Sequence, residues 1–285
     1  MSDGDPRMSF ETEGPSWAER SGRGELSAVF SPGGTERRNL FLHTVSLYGA
    51  NRALALTRER GVLLDFGCGT GRMLRFFAAH GWSVIGTEIT AEMLDEARRI
   101  GLPAGAQVYL TDGVAIPLPS ESVDMIWVCG VLKYSLFKPG AVCRGGSAQV
   151  LSENGSEHNA EEPLFTPVYR HIAREMHRVL KPGGWVVNNE VYVDSPPAVF
   201  LQDFENLGFV TKDVRVLQRY FEPFAKFLQS PRVPRWFVKA AARFYAGSRF
   251  RFDDPRRQRA GLRDYLFVWS KPGHSGGASN TVHKP

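Results

Sequence analysis

The stretch Val62–Arg72, which reads VLLDFGCGTGR, decides the fold of this chain. It opens with apolar residues typical of a buried strand, and three glycines then alternate ahead of an amphipathic stretch that predicts a helix. Glycine has no Cβ, so the backbone of such a turn approaches a ligand closely, and the N–H groups of the helix start attract negative charge. The stretch therefore predicts a nucleotide-binding corner made of a strand, a turn and a helix.

The spacing of the glycines separates two classes of nucleotide site. A dinucleotide fingerprint needs a glycine at position 72, where this chain has Arg72, and its third glycine is Gly71 instead. The resulting G-x-G-x-G pattern resembles the first motif of the class I S-adenosylmethionine-dependent methyltransferases.

Three later segments carry the same resemblance. A second apolar run ends in Glu88, about 20 residues past the turn, where a carboxylate can accept hydrogen bonds from both hydroxyls of a ribose. A third run leads into Asp112-Gly113, which resembles the family's adenine contact. Residues 178–184, RVLKPGG, resemble the family's turn before its fifth strand, with Pro and Gly as stop signals. The resemblance covers about residues 55 to 210 and the final strand at 264–270.

This resemblance implies that the cofactor is S-adenosyl-L-methionine. It assigns Asp65 and the glycine turn to the methionine end of the cofactor and Glu88 to the ribose. It assigns Asp112-Gly113 to the adenine, with Ile89 beside that ring, and Cys129 to the sulfonium. The residues so implied are Asp65, Gly67, Cys68, Gly69, Gly71, Glu88, Ile89, Asp112, Gly113 and Cys129. For the two cysteines, small packing residues are favoured over nucleophiles.

The catalytic residues are less legible, because a sulfonium leaving group needs no acid and positioning supplies much of the rate. Glu190, His43 and Tyr134 are the candidates, with a structural or surface role as the alternative for each. Lys133 and Tyr192 are further candidates for contacting the substrate. The segment after the fourth strand lacks the Asn/Asp-Pro-Pro-Tyr signature, which argues against methylation of adenine or glutamine nitrogens.

Apolar runs alternate with helical patterns along the chain, which predicts an α/β fold. We expect a doubly wound, mostly parallel, seven-stranded sheet of the Rossmann-like methyltransferase type, with an antiparallel pair at the end. The methyltransferase domain is expected over 36–272, after a flexible or ligand-ordered arm at 1–35 and before a disordered tail at 273–285.

Two insertions are expected within this domain. Residues 138–162 are polar and predict a mobile surface loop near the ligand end of the sheet. Residues 218–262 predict a helical, basic, lid-like insertion. Between 213 and 263 there are thirteen Lys or Arg against four Asp or Glu, whereas the whole chain has 35 and 30.

The basic insertion allows several interpretations. Its aromatics can pack on the sheet beneath a solvated basic face, or it can close over an acidic or phosphorylated substrate or rest on an anionic membrane surface. Nucleic acid ranks last, because no recognisable RNA module accompanies the segment.

Composition bounds the remaining possibilities. No apolar run nears 18 residues and no signal peptide is evident, which predicts a cytoplasmic protein, with peripheral membrane contact as an option. Three cysteines and seven histidines lack metal-ligand spacing, so no metal is expected.

The function expected is methyl transfer to an oxygen or nitrogen of a small-molecule acceptor, such as a sugar, lipid-linked or natural-product intermediate. The alternatives are an RNA or tRNA methyltransferase that uses the basic insertion for phosphate contacts, and a non-catalytic protein that binds the cofactor.

Overall fold

The structure is a computed structural model of the 285-residue chain. It describes residues 16–30, 35–57, 59–132, 141–144, 147–151, 157–159, 167–193, 198–219, 227–247 and 262–273.

Strands and helices alternate through the described residues. The strands are β1 (Val62–Phe66), β2 (Ser83–Glu88), β3 (Gln107–Leu110), β4 (Val123–Cys129), β5 (Ala141–Arg144), β6 (Ser147–Leu151), β7 (Glu157–Asn159), β8 (Leu180–Val193), β9 (Val210–Arg219) and β10 (Leu262–Ser270). The helices are α1 (Trp17–Ser21), α2 (Glu25–Val29), α3 (Glu36–Leu54), α4 (Arg72–Ala78), α5 (Ala91–Ile100), α6 (Pro167–Val179), α7 (Ala198–Asn206) and α8 (Arg235–Gly247).

Seven of these strands form one mixed sheet in the order β3-β2-β1-β4-β8-β10-β9. The first five run parallel to one another, while β10 is antiparallel to both β8 and β9. Strand order reverses between β1 and β4, and the carboxyl ends of parallel strands at such a point frame a ligand crevice. The prediction of a doubly wound, mostly parallel seven-stranded sheet is confirmed.

Alternation along the central strands builds a hydrophobic core on each face of the sheet. Leu64 and Phe66 of β1 face a core shared with α6 and α7, whereas Leu63 faces a core shared with α3, α4 and α8. Trp127 of β4 belongs to the second core and Val128 to the first. Side chains of a strand point to opposite faces in turn, so this central pair needs apolar residues at successive positions.

Three described segments lie outside the minimal fold. Residues 17–29 of the predicted N-terminal arm form α1 and α2, two short helices. Within the predicted polar loop, β5, β6 and β7 pair as a small antiparallel sheet. In the basic insertion, α8 packs on α3, with Val238 and Leu40 in one cluster. The tail beyond residue 273 lies outside the described residues.

The described helices include none that is both long and apolar enough to cross a membrane. Among the described side chains, no group of three or more His, Cys, Asp or Glu is arranged to hold a metal ion.

Aromatic stacking joins α7 to the sheet and gives a test of the first core. Phe204 is fully buried, and its ring stacks on Trp269 of β10 at 4.1 Å between centroids. Phe204→Ala should therefore lower the free energy of unfolding by about 3–5 kcal/mol, through lost burial and the cavity left behind. Urea unfolding measures this, with the exposed Val214→Ala in β9 as a control expected to stay within about 0.5 kcal/mol of wild type. A small effect at Phe204 would show that the stack does not couple α7 to β10.

Candidate functional site

Backbone hydrogen bonds fix the glycine turn to the end of β2. The amides of Gly67 and Cys68 both donate to the Thr87 carbonyl at 2.9 Å. Gly67 has φ of +75°, and a Cβ there would overlap the Val131 side chain. Gly71, at φ +74°, is the N-cap of α4. Only glycine combines these positive φ values with such close packing, so the turn stays tight against two strand ends.

The Glu88 carboxylate links the same two strand ends from the side-chain direction. Its Oε2 accepts a hydrogen bond from the Gly69 amide at 2.9 Å, and its Oε1 accepts from the amides of Ile89 and Thr90 at 2.8 and 3.1 Å. Burial raises the pKa of Glu88, while these three backbone donors oppose that shift. A carboxylate has about four lone-pair positions, so one remains for a hydroxyl donor.

The pocket opens above this carboxylate, at the carboxyl ends of β1 to β4. It is a cavity of about 690 Å³, including its open mouth. Its lining residues are Trp17, Val29, Phe66, Gly67, Gly69, Thr87, Glu88, Ile89, Met93, Thr111, Gly113, Cys129, Gly130 and Val131. The walls are mostly apolar with a few polar groups, as is usual for a small-molecule site.

Six of the ten predicted cofactor residues lie in this lining: Gly67, Gly69, Glu88, Ile89, Gly113 and Cys129. The other four stand behind or beside it. Cys68 is buried against Gly86, and burial raises the pKa of its thiol. Gly71 begins α4. Asp112 is exposed, and its Oδ1 accepts from the amides of Val114 and Ala115, both at 2.9 Å. It therefore shapes the turn that carries Gly113 into the pocket.

Asp65, the remaining predicted residue, is a buried carboxyl without a full set of partners. It is 2% exposed, and its Oδ2 has no hydrogen-bond partner among the described residues. Burial raises its pKa from 3.8 to about 7, although the nearby Arg72 guanidinium lowers it and Glu88 raises it further. Such an oxygen is poised to accept from a cationic group.

Arg72 is a buried cation that the sequence interpretation did not assign to the site. It is 8% exposed and donates to His43 Nδ1 at 3.3 Å, Met73 Sδ at 3.1 Å and Cys129 Sγ at 3.2 Å. Its guanidinium also lies over the Phe30 ring, 4.7 Å from the centroid. Within the described part of the chain it forms no ion pair. Weak, neutral acceptors are a poor substitute for water around a buried charge, so this position favours an anionic ligand group.

His43 and Glu190, two of the candidate bases, lie in different surroundings. Because arginine only donates, His43 Nδ1 must accept from Arg72, which leaves the proton on Nε2. Burial, then the charges of Arg72 and Lys239, lower the pKa of His43 to about 3. A group with so little affinity for protons is a weak base, and here it orients Arg72. Glu190 is fully buried in β8 and is absent from the pocket lining.

The other predicted substrate residues fall outside what the structure describes. Lys133 and Tyr134 lie between described segments. Tyr192 belongs to β8 and pairs with Arg263 along the backbone, but its side chain is not described.

The N-terminal helices cover the glycine turn. Glu25 of α2 forms an ion pair with Arg75, which also donates to the Thr70 carbonyl at 3.0 Å. Val29 lies beside Gly69, and Trp17 of α1 lines the pocket. The site is therefore assembled from segments that lie between Trp17 and Val131 in the sequence.

A family model described as a methyltransferase domain matches residues 64–156. Two curated relatives match part of the chain. The malonyl-[acyl-carrier protein] O-methyltransferase of Enterobacter lignolyticus is 34% identical over 92 residues, covering 28% of this chain and 36% of the relative. Its counterpart in Salmonella typhimurium is 33% identical over 97 residues, covering 30% and 38%. This chain thus spans little more than a third of the length of the curated relatives it matches.

Solved structures resemble the chain over most of its length. A SAM-dependent methyltransferase from Archaeoglobus fulgidus has a TM-score of 0.50 and 15% identity, covering 80% of this chain and 94% of that one. The geranyl diphosphate C-methyltransferase of Streptomyces coelicolor A3(2) has a TM-score of 0.50 and 13% identity, covering 87% and 88%. At these identities the likeness concerns the fold.

The raised pKa of Asp65 predicts a pH dependence of stability. Between 3.8 and about 7 the folded protein keeps a proton on Asp65 that the unfolded chain releases. The stability of the wild type relative to Asp65→Asn should therefore fall as pH rises across that window and level off above it. Urea unfolding of both ligand-free proteins measures the difference. Asp95→Asn, an exposed change in α5, serves as the control. Stability curves against pH that run parallel for the wild type and Asp65→Asn would contradict a raised pKa of Asp65.

Proposed function

We propose that the chain is a class I S-adenosylmethionine-dependent methyltransferase, which transfers a methyl group from S-adenosyl-L-methionine to an oxygen or nitrogen of a small-molecule acceptor. The observation that carries this proposal is the buried Glu88 carboxylate, which lines the pocket at the end of β2 and is bonded to the glycine turn. The lone-pair position that the three backbone donors leave open on this carboxylate suits a ribose hydroxyl.

The polar groups that lack strong partners fit the rest of this cofactor. The unpartnered Oδ2 of Asp65 suits the ammonium of the methionine moiety, and the buried Arg72 guanidinium suits its carboxylate. Opposite charges on the protein thus match the two charges of a zwitterion. Both groups are more than nine-tenths buried, where such pairing is stronger than in water.

The adenine end fits the opposite part of the pocket. Ile89 and Met93 supply apolar contact, and Gly113 lets the backbone come close to a flat ring. Asp112 supports this end by holding the turn at 112–115 through its Oδ1.

When bound, the cofactor supplies an electrophilic methyl group on a positively charged sulfur. The protein's part is then to hold an acceptor nucleophile in line with that group in a site that excludes water. Apolar walls from Val29, Val131 and Trp17 support the exclusion of water. Since His43 is a weak base and Glu190 lies outside the lining, we infer that positioning contributes more than proton transfer.

The acceptors that we favour carry an acidic or phosphorylated group, as a sugar, lipid-linked or natural-product intermediate can. The excess of basic residues between 213 and 263 supports this class. The two partial relatives are named as O-methyltransferases, which supports oxygen as the methyl acceptor.

Calorimetry tests the cofactor assignment directly. S-adenosylmethionine and S-adenosylhomocysteine should both bind the purified chain, while NAD should not, because Arg72 replaces the third glycine of a dinucleotide fingerprint. Methyl-labelled cofactor then tests the acceptor, with acidic and phosphorylated metabolites set against RNA. Binding of NAD alone would overturn the cofactor assignment, and labelling confined to RNA would overturn the acceptor class.

Arg72→Gln tests the proposed contact with the methionine carboxylate. Removing the cation should weaken S-adenosylhomocysteine binding by about 1–3 kcal/mol, since a charged hydrogen bond is lost. Binding of 5′-methylthioadenosine, which lacks the amino-acid moiety, should stay unchanged. Arg98→Gln on the exposed side of α5 is the matched control. Equal weakening of both ligands would show that Arg72 shapes the pocket without contacting the carboxylate.

A further inference from the structure

One face of helix α8 packs against the rest of the protein. Val238, Ala242 and Ala246 are buried, and Tyr245 packs edge-on against Phe41 of α3 with 6.2 Å between the ring centroids. These contacts hold α8 on the outer surface of α3. The opposite face of α8 points away from the core.

Two parallel rows of side chains run along that outer face. Arg235, Lys239 and Arg243 form a basic row, and Trp236 and Phe244, with Ala240 between them, form an aromatic row beside it. Members of each row are four residues apart, so they follow one another along the helix, and the rows are offset by one residue. All six residues are exposed.

The aromatic row exposes more apolar surface than a solvated helix needs. Trp236 is 70% exposed and Phe244 is 67% exposed. Phe237 extends the row, with its ring 5.8 Å from that of Trp236 and 6.3 Å from that of Phe227, which is 54% exposed. Large exposed aromatics gathered in one patch indicate an interaction surface.

The charge of this face has one sign. Residues 235–247 include no acidic side chain. Arg235 pairs with Glu36 of α3 at 2.8 Å, whereas Lys239 and Arg243 have no ion pair with any side chain that the structure describes. The row therefore presents positive charge directly beside the aromatic patch.

We propose that the outer face of α8 is a docking surface for an anionic lipid bilayer. Tryptophan and phenylalanine partition into the headgroup region, and adjacent Lys and Arg are attracted to anionic headgroups. An acidic protein would match the cations, but it would also need a pocket shaped for Trp236 and Phe244. A bilayer accepts both rows at once without a shaped partner, and the convex face of a single helix matches it.

This surface goes beyond the proposed methyl transfer and does not depend on it. Through α3, α8 is connected to the pocket, because His43 of α3 contacts Arg72 and senses the charge of Lys239. Docking through α8 would thus hold the end of the pocket beside Arg72 near lipid.

Vesicle flotation without cofactor tests the surface on the full chain. Binding should be weak to phosphatidylcholine vesicles, strong when about 30 mol% phosphatidylglycerol is included, and reduced by salt. Trp236→Ala with Phe244→Ala, and separately Lys239→Gln with Arg243→Gln, should each lower the partition coefficient about tenfold or more. Leu110→Ala at the end of β3 and Arg98→Gln on α5 match these exposed residues elsewhere and should change nothing.

Three results would overturn the proposal. One is equal binding of the wild type to neutral and anionic vesicles. Another is unchanged partition of both double variants, with thermal melting showing that they fold as the wild type does. The third is self-association of the wild type that the Trp236→Ala and Phe244→Ala pair abolishes while vesicle binding is absent, which would make the face an interface between copies of this chain.

Discussion

The hydrogen bond from the Gly69 amide to the Glu88 carboxylate is the constraint on which the site depends. It forms only when β1 and β2 lie in parallel register, which places Phe66 opposite Thr87 and brings the turn after one strand to the end of the next. A buried carboxylate without such donors would be costly, so the turn and the acid stabilise each other. The register of the sheet, the conformation of the glycine turn and the position of the pocket therefore depend on one another.

Electrostatics then divides the pocket into two ends. At the end of β2, the Glu88 carboxylate is surrounded by backbone donors. Beside the glycine turn, Asp65 and Arg72 are buried without a direct ion pair between them, and each lacks a strong complementary partner within the described residues. Protein interiors seldom keep such groups unless a ligand completes them. This incompleteness is why the end of the pocket beside Asp65 and Arg72 says more about the chemistry of a ligand than the apolar walls formed by Val29 and Val131.

Local sequence predicted the sheet and the glycine turn well, because both follow from short-range rules. Leu63 and Leu64 are successive apolar residues of one strand, so they predict a sheet buried on both faces. The glycines predict a tight turn. The site's long-range parts had no such signal. Trp17 and Val29 reach the pocket from an arm without clear hydrophobic periodicity. The residues around His43 in the sequence do not predict its hydrogen bond with Arg72. The polar composition of residues 138–162 predicts a loop and gives no sign of the pairing between β5, β6 and β7.

The position of β10 has a consequence for how the chain is made. It is the last of the described strands in sequence, yet it lies inside the sheet between β8 and β9, with Leu266, Phe267 and Trp269 fully buried. During synthesis the strands that carry the pocket emerge first, whereas β8 and β9 must wait for residues 262–270. Two unpaired strand edges and the apolar surface meant for β10 are therefore exposed on the nascent chain, which makes this interval the one most open to aggregation.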